Sequence, residues 1–210
     1  MARDHDRDRV LAEAGVSRET AERLDLYVEQ LRRWQSVKNL VGPATLAEVW
    51  TRHVADALQL LTLAPDATHW LDLGSGAGIP GLILAIAGGP DMSVDLVESN
   101  ARKCAFLSEA ARLTGAKARI HNARIETVID RFQGVEIVCA RALAPLDQLL
   151  AWTEPLLKTG TTGLFPKGRD VDAELTQAAT RWTVSYDLVP SRTESAARIV
   201  RVTALAPENS

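Results

Sequence analysis

Residues 70–81 constrain the fold of this chain more than any other stretch, with the order Trp-Leu-Asp-Leu-Gly-Ser-Gly-Ala-Gly-Ile-Pro-Gly. The apolar residues at its start predict the end of a buried strand, and the apolar run over residues 79–87 predicts a helix. Glycines occupy positions 74, 76, 78 and 81. Because glycine weakens any element that does not need it, four within eight residues indicate a turn that a ligand approaches closely. A strand, a glycine-rich turn and a helix in this order are typical of a site for a nucleotide-like ligand.

Two acidic residues bear on which cofactor such a turn binds. Residues 76–81 also satisfy the dinucleotide pattern G-x-G-x-x-G. Asp72 precedes the first glycine by two residues, and we expect its carboxylate to face the ligand. There it would repel a pyrophosphate but attract the ammonium and sulfonium groups of S-adenosylmethionine. Glu98 ends the next apolar run and is placed to bind ribose hydroxyls, which suits NAD equally. Asp72 therefore favours S-adenosylmethionine.

Length and composition exclude several classes of protein. The 210 residues, 46% of them hydrophobic and 24% charged, suit one globular unit with a substantial core. No apolar run approaches the roughly 20 residues of a membrane span, and the first residues lack the apolar core of a signal peptide. Cys104 and Cys139 stand alone, without a Cys-x-x-Cys pair or a His at metal spacing. We therefore expect no metal, no membrane contact and a cytoplasmic location.

Charge is distributed unevenly along the chain. The formal net charge is −3, yet residues 99–143 hold eight Arg or Lys and only four acids. A local basic face on an acidic protein is compatible with phosphate binding, because the local potential matters more than the total. Solvated helix faces explain the same numbers equally well, so composition alone leaves nucleic-acid binding open.

Apolar residues at helical spacing predict three helices ahead of the glycine-rich turn, over residues 7–14, 18–35 and about 46–61, with a loop at residues 38–43. The third contains Arg52-His53-Val54-Ala55-Asp56. Arg52 and Asp56 are four residues apart, which predicts an ion pair across one turn. His53 and Asp56 share a face, as a functional pair or as an ordinary polar pair of a helix.

From residue 68 onward, the pattern alternates between strands and helices. Strands are predicted near residues 70–73, 93–98, 117–121, 135–140 and 162–165, with helices at 79–87, 101–114, 145–156 and 171–179. This alternation predicts an α/β fold with a mostly parallel, doubly wound sheet. Two late β-rich runs, residues 183–189 and 198–205, predict an antiparallel hairpin at the sheet edge, as in methyltransferases. The predicted units are an N-terminal helical extension packed on the core (1–65), a methyltransferase domain (66–206) and a loose tail (207–210).

Six motifs occur in one order along the chain: Asn39-Leu40, residues 52–56, residues 72–81, residues 102–107 (Arg-Lys-Cys-Ala-Phe-Leu), Arg141-Ala142 and Pro166-Lys167-Gly168. The series resembles the glucose-inhibited division protein B family, the bacterial small-subunit ribosomal RNA guanine-N7 methyltransferases, over residues 25–204. The resemblance implies a Rossmann-like class I fold and methyl transfer from S-adenosylmethionine to N7 of guanine 527 in 16S rRNA. The expected partner is 16S rRNA or the small ribosomal subunit, and we expect a monomer. Ala57 departs from the pattern, where we would expect a serine.

Position and resemblance together give a set of candidate site residues. The predicted cofactor-binding residues are Asp72, Gly74, Ser75, Gly76, Gly78, Ile79, Glu98, Ile125, Glu126 and Arg141. The predicted RNA-binding residues are His53, Arg102, Lys103, Lys167 and Arg198. Taken singly, the four Arg and Lys residues of this set are explained equally well as solvated surface charges.

The stretch after the fourth strand indicates what chemistry the site can perform. Residues 139–145, Cys-Ala-Arg-Ala-Leu-Ala-Pro, lack the Pro-Pro-aromatic turn of exocyclic-amine methyltransferases, and the chain has no cysteine pair suited to attacking a pyrimidine. Guanine N7 needs neither device, because it carries an in-plane lone pair and loses no proton, so alignment without a general base suffices. Arg141, the predicted catalytic residue, could reach guanine O6 and N7 or a phosphate. It could equally be a structural partner for the cofactor carboxylate or Asp72.

Other functional classes are compatible with parts of the sequence. An S-adenosylmethionine methyltransferase acting on a small molecule or a protein is the main alternative, since the fold does not determine the acceptor. A nicotinamide-dependent oxidoreductase would need a pair such as Tyr-x-x-x-Lys, but Tyr186 is followed four residues later by Pro190. A non-catalytic binding module would keep the glycine-rich turn without Arg141 and Lys167.

Overall fold

A seven-stranded sheet forms the centre of the computed structural model, which describes residues 2–35, 40 and 46–208. In chain order the strands are β1 (His69–Leu73), β2 (Ser93–Glu98), β3 (Ala118–Asn122), β4 (Ile137–Ala140), β5 (Thr162–Lys167), β6 (Trp182–Pro190) and β7 (Arg198–Pro207). Their order across the sheet is β3-β2-β1-β4-β5-β7-β6. Strands β1 to β5 run parallel, whereas β7 pairs antiparallel with both β5 and β6. This confirms the predicted α/β class and the C-terminal hairpin.

Helices cover both faces of the sheet. They are α1 (Ala2–Ala14), α2 (Arg18–Gln35), α3 (Ala55–Leu63), α4 (Gly81–Ala87), α5 (Ala101–Thr114), α6 (Leu146–Leu157) and α7 (Val171–Ala178). A π-helical segment, Val49–Val54, leads directly into α3, so the regular helix predicted over 46–61 is wrong in its first half. None of the described helices is long and apolar enough to cross a membrane.

Two apolar clusters lie on opposite faces of the sheet, because side chains alternate along each buried strand. Trp70 of β1 belongs to the cluster shared with α2, α4 and α5, whereas its neighbour Leu71 belongs to the cluster shared with α6 and α7. Strand β4 follows the same rule, with Ile137 and Cys139 on the first face and Val138 on the second. The helices before β1 therefore pack on the same face as α4 and α5.

Three predictions near the ends of the elements are changed or lie outside the structure. Pro207 pairs with Trp182 in the sheet, and the Glu208 amide donates to the Arg181 carbonyl at 3.1 Å. The prediction of a loose tail from residue 207 is thus wrong for these two residues, because the last strand extends along β6. Residues 209–210 lie outside the described residues. So does the predicted loop at 38–43, including Asn39 of the motif series but excepting Leu40.

Candidate active site

The turn after β1 has a backbone that glycine adopts most easily. Gly74, Gly76 and Gly78 have φ angles of 65°, 56° and 81°, in the left-handed region that disfavours side chains. A Cβ atom built on Gly76 would meet only the Gly74 carbonyl, at 3.7 Å, so the space above Gly76 is open. A ligand can lie close to a backbone of this kind, because no side chain fills the space above it. The turn therefore fits the adenosyl cofactor predicted for it.

Asp72 does not occupy the position expected from the sequence. Its side chain is 0% exposed, and its Oδ2 accepts a hydrogen bond from the Gly81 amide at 3.1 Å. The strand alternation points this side chain at the start of α4, beside Cys139 on the neighbouring strand. Burial raises the pKa of the Asp72 carboxyl to about 7. The expectation that its carboxylate faces the ligand is therefore wrong, because Asp72 lies beneath the turn.

Glu98, at the carboxyl end of β2, braces the turn directly. Its Oε2 accepts from the Gly76 amide at 2.9 Å and its Oε1 from the Asn100 amide at 2.7 Å. Each carboxylate oxygen has a second lone pair. Glu98 can therefore hold the turn in place and still accept hydrogen bonds from a ligand.

The remaining predicted cofactor residues fall into two groups. Ser75 is buried, and its hydroxyl donates to the Asp72 carbonyl at 3.0 Å, so it serves the turn itself. Ile79 is half-buried at the end of the turn. Ile125 and Glu126 lie in a 3-10 turn after β3, where Ile125 is buried in an apolar cluster and Glu126 is exposed.

Arg141, directly after β4, joins two side chains from the helical segment before β1. Its Nη1 lies 2.9 Å from Nδ1 of His53, and its Nη2 lies 3.4 Å from Oδ2 of Asp56. Because a guanidinium only donates, Nδ1 must accept, which places the proton of a neutral His53 ring on Nε2. Burial, aided by Arg141, lowers the pKa of His53 to about 4. The carboxylate partner of Arg141 is thus Asp56 and not Asp72, its predicted structural alternative.

A pocket of about 470 Å³ opens beside Arg141, at the carboxyl ends of β4 and β5. The segment before α3, the loop after β4, the end of β5 and the β6–β7 loop all contribute to its wall. Its charged lining residues are Arg52, Asp56, Arg141, Lys167, Glu174, Glu194 and Arg198. Lys167 pairs with Glu174 at 2.6 Å and Arg52 with Glu194 at 3.3 Å. Arg198 donates instead to the Ser195 and Ala197 carbonyls, at 2.7 Å and 2.8 Å.

One side chain connects the pocket with the glycine-rich turn. Leu143 lines the pocket, and its Cδ1 would lie only 2.4 Å from a Cβ atom on Gly74. Its neighbour Ala142 has a left-handed φ of 52°, which is uncommon for a residue with a side chain. Turn and pocket are therefore adjacent, with Leu143 between them.

The structure brings some of the predicted RNA-binding residues together and separates others. Lys167 and Arg198 line the pocket, and His53 contacts Arg141 in its wall. Arg102 and Lys103 lie instead in the first turn of α5, where Asn100 caps their amides at 2.9 Å and 3.3 Å. They are not part of the pocket.

The prediction that Arg52 and Asp56 form an ion pair with each other is wrong, because each residue has a different main partner. Arg52 forms its ion pair with Glu194, and Asp56 contacts Arg141 and the Thr193 hydroxyl. The reason is local, because the π-helical segment changes the side-chain spacing on which the four-residue rule depends. Thr193 and Glu194 were not predicted as pocket residues, since no local pattern marks the β6–β7 loop.

Ala57, the departure from the family pattern, is fully buried in the apolar cluster. A hydroxyl at this position would lie in the core and not in the pocket. The substitution therefore leaves the lining of the pocket unchanged.

The fold and this site together define a class of protein. A mostly parallel sheet with a C-terminal antiparallel hairpin, a glycine-rich turn after β1 and an acid at the end of β2 is the arrangement of class I methyltransferases. Among the described residues, no group of His, Cys, Asp and Glu is arranged to hold a metal ion.

Comparison with known proteins defines the family. The family described as rRNA small subunit methyltransferase G matches residues 20–199, and this chain belongs to it. The Methylobacterium radiotolerans protein named ribosomal RNA small subunit methyltransferase G is 78% identical over 204 residues, 97% of each chain. Its namesake from Methylobacterium nodulans is 73% identical over 96% of each chain. The family predicted from the motifs is thereby confirmed, and with it S-adenosylmethionine as the methyl donor.

Solved structures of low identity support the fold alone. A mutant of MtNAS in complex with S-adenosylmethionine matches with a TM-score of 0.58 and 15% identity, over 89% of this chain and 72% of that one. TrmN from Thermus thermophilus matches with a TM-score of 0.55 and 20% identity, over 73% of this chain and 49% of that one.

Proposed function

We propose that this protein transfers the methyl group of S-adenosylmethionine to N7 of a guanine in 16S rRNA, guanine 527 in the decoding region. The observation that carries the proposal is the pocket of about 470 Å³ beside the glycine-rich turn, with Arg141, Lys167 and Arg198 in its wall. A volume of this size is in the range of ligand pockets and suits one base with its sugar. The position of the guanine follows from the family resemblance.

The groups in the pocket suit an acceptor that loses no proton. Each carboxylate of the pocket wall lies in an ion pair, Asp56 with Arg141, Glu174 with Lys167 and Glu194 with Arg52. The cations occupy these carboxylates, so none of them is free to take a proton from the acceptor, although burial raises the pKa of Asp56. His53 offers no free lone pair either, since its Nδ1 accepts from Arg141. Guanine N7 attacks with its own lone pair, so this arrangement is sufficient.

S-adenosylmethionine supplies an electrophilic methyl group on a sulfonium. The left-handed glycines of the turn would let the cofactor lie close to the main chain. Glu98 would accept hydrogen bonds from the ribose hydroxyls with its remaining lone pairs. Ile125 and Glu126 would flank the adenine, as the resemblance implies. Asp72 would not contact the cofactor; it would support the turn by accepting the hydrogen bond from the Gly81 amide at the start of α4.

Arg141 would orient the guanine, with guanidinium N–H groups donating to O6 or to a neighbouring phosphate. Methylation leaves a positive charge on the base, which a lone guanidinium would oppose. The carboxylate of Asp56, 3.4 Å from Nη2, offsets the charge of Arg141. Arg198 and Lys167 would contact the RNA backbone at the rim of the pocket.

We further propose that the protein is a cytoplasmic monomer that acts on the small ribosomal subunit or its assembly intermediate.

Methyl transfer to ribosomal RNA tests the proposal directly. Tritium from labelled S-adenosylmethionine should enter 16S rRNA of cells that lack this enzyme, and not rRNA that is already modified. The labelled nucleoside should be 7-methylguanosine at position 527. Label in another nucleoside, or only in protein or a small molecule, would show that the acceptor is different.

The pH dependence of the same assay tests the absence of a general base. The single-turnover rate at saturating RNA should stay nearly flat from about pH 6.5 to 9, because no proton is removed from N7. His53 stays neutral over this range, since its pKa is lowered to about 4. A rate that rises tenfold per pH unit would indicate an amine or hydroxyl acceptor instead.

A further inference from the structure

The Ala77 carbonyl, in the middle of the glycine-rich turn, accepts a hydrogen bond from a helix that packs on the sheet. The Tyr27 hydroxyl donates to it at 2.8 Å, in a contact fully shielded from solvent. Tyr27 belongs to α2, fifty residues earlier in the chain. By contrast, the amides of Ser75 and Gly76 are held by β2, through the Val97 carbonyl at 3.0 Å and the Glu98 carboxylate at 2.9 Å. The turn is thus held on one side by β2 and on the other by helix α2.

Ala77 lies between two glycines with left-handed backbones, Gly76 at φ 56° and Gly78 at φ 81°. Glycine adopts several backbone conformations at similar cost, so peptide units beside it reorient easily. A hydrogen bond to the Ala77 carbonyl selects one orientation of the peptide between Ala77 and Gly78. The Gly78 amide donates to the Ser75 carbonyl at 2.7 Å only in a compatible orientation.

We infer that Tyr27 is a positioning residue for the cofactor site: its hydroxyl fixes the Ala77 peptide, so that the turn is already in its binding conformation before S-adenosylmethionine arrives. A turn that need not be ordered on binding gives a higher affinity for the same contacts. The helical section before β1 therefore contributes to cofactor affinity, in addition to contributing residues to the wall of the acceptor pocket.

The hydroxyl has a role distinct from that of the ring. The Tyr27 ring packs in the core near Phe106, with ring centroids 6.4 Å apart, and a phenylalanine would fill the same space. A buried hydroxyl is costly unless it is hydrogen-bonded, and Ala77 supplies the bond. Burial also raises the pKa of Tyr27, which keeps the hydroxyl protonated and able to donate.

The chain provides a matched pair of variants, because Tyr27 and Tyr186 are its two tyrosines. Tyr27→Phe removes the hydroxyl beneath the turn, whereas Tyr186→Phe removes one that is on β6 in a residue 43% exposed. By calorimetric titration, Tyr27→Phe should bind S-adenosylmethionine and S-adenosylhomocysteine about tenfold more weakly, the effect of one buried acceptor left without its donor. Tyr186→Phe should bind both as the wild type does.

Kinetics distinguish positioning from a general structural defect. In Tyr27→Phe the KM for the cofactor should rise about tenfold, while kcat at saturating cofactor and the KM for RNA stay within about twofold of wild type. Phe106→Leu serves as the control for stability, since it loosens packing against the same ring without removing the hydroxyl. It should lower the melting temperature but leave cofactor affinity within about twofold.

Unchanged cofactor affinity in folded Tyr27→Phe, or an equal loss in Phe106→Leu, would overturn the inference. If Tyr27→Phe does not fold, hydrogen exchange on the wild type decides. Because coupling between sites is reciprocal, cofactor binding should slow exchange of α2 amides around Tyr27. Unchanged exchange there would also overturn it. The inference rests on the cofactor and not on the acceptor, so failure of the guanine proposal would leave these results unaffected.

Discussion

Two clusters of this protein each contain an aspartate, an arginine and at least one histidine, yet they are built differently. In the first cluster, Asp95 in the middle of β2 accepts from Arg119 and His121 of β3, at 2.6 Å and 2.7 Å, and from His69 of β1 at 2.8 Å. In the second cluster, Arg141, directly after β4, donates to His53 at 2.9 Å and lies 3.4 Å from Asp56. In the first cluster three side chains donate to one carboxylate. In the second, Arg141 lies between His53 and Asp56, and no single acceptor is shared by all members.

Their electrostatics differ accordingly. Although burial opposes it, hydrogen bonds from Arg119, His121 and His69 hold the pKa of Asp95 well below its usual range. Burial raises the pKa of Asp56, and Arg141 only partly opposes this. Nε2 of His53 is buried with no hydrogen-bond partner in the part of the chain that the structure describes. A satisfied cluster stabilises a fold, whereas an incompletely satisfied one beside a pocket is a candidate functional site.

The largest expected difference between the two clusters is in their arginines. Arg141→Ala should lower the single-turnover rate at saturating RNA and cofactor about 100-fold, roughly 2.7 kcal/mol, because it removes donors that orient the acceptor. Arg119→Ala should leave the rate within about twofold, since its guanidinium contacts Asp95 and not the pocket. Quench-flow measurement of methyl transfer checks both. Equal losses in the two variants would mean that Arg141 acts through the fold.

A smaller effect is expected from Asp95, the aspartate of the first cluster. Asp95→Asn should lower the free energy of unfolding by about 2 kcal/mol at pH 7, because three donors lose a charged acceptor whose side chain is 4% exposed. A carboxyl whose pKa is depressed by folding contributes stability above its ordinary pKa and loses it as the pH falls. The difference between wild type and variant should therefore shrink below about pH 4. Urea titrations across pH measure it, and a constant difference down to about pH 3 would contradict the assignment.

The smallest expected effect is that of replacing a left-handed glycine by alanine, either inside the glycine-rich turn or away from it. Gly76 and Gly115 have similar φ angles, 56° and 62°, so alanine at either should cost about 1 kcal/mol of stability. Only Gly76 lies in the glycine-rich turn, whereas Gly115 ends α5. Gly76→Ala should therefore also weaken S-adenosylmethionine about fivefold, and Gly115→Ala should not. Calorimetric titration of the two variants compares them directly. Wild-type affinity in Gly76→Ala would show that the cofactor does not approach the turn.

Local patterns were sufficient to predict the architecture. The boundaries of α2, β2 and α5 agree with those predicted from periodicity, because this signal acts within one element. The glycine-rich turn was equally evident, since left-handed φ angles restrict the residue type at each position. Where the backbone departs from regular spacing, as in the π-helical segment Val49–Val54, the prediction of side-chain partners was wrong.

The sequence by itself determined the order of strands and helices, the position of the glycine-rich turn and the family, because each depends on residues close together in the chain. Only the tertiary structure decided which face of β1 Asp72 occupies, that Asp56 pairs with Arg141, and that Tyr27 reaches Ala77. These contacts join residues far apart in the chain, or depend on which layer of helices a strand side chain meets. Packing alone brings such residues together, and no local signal in the sequence records it.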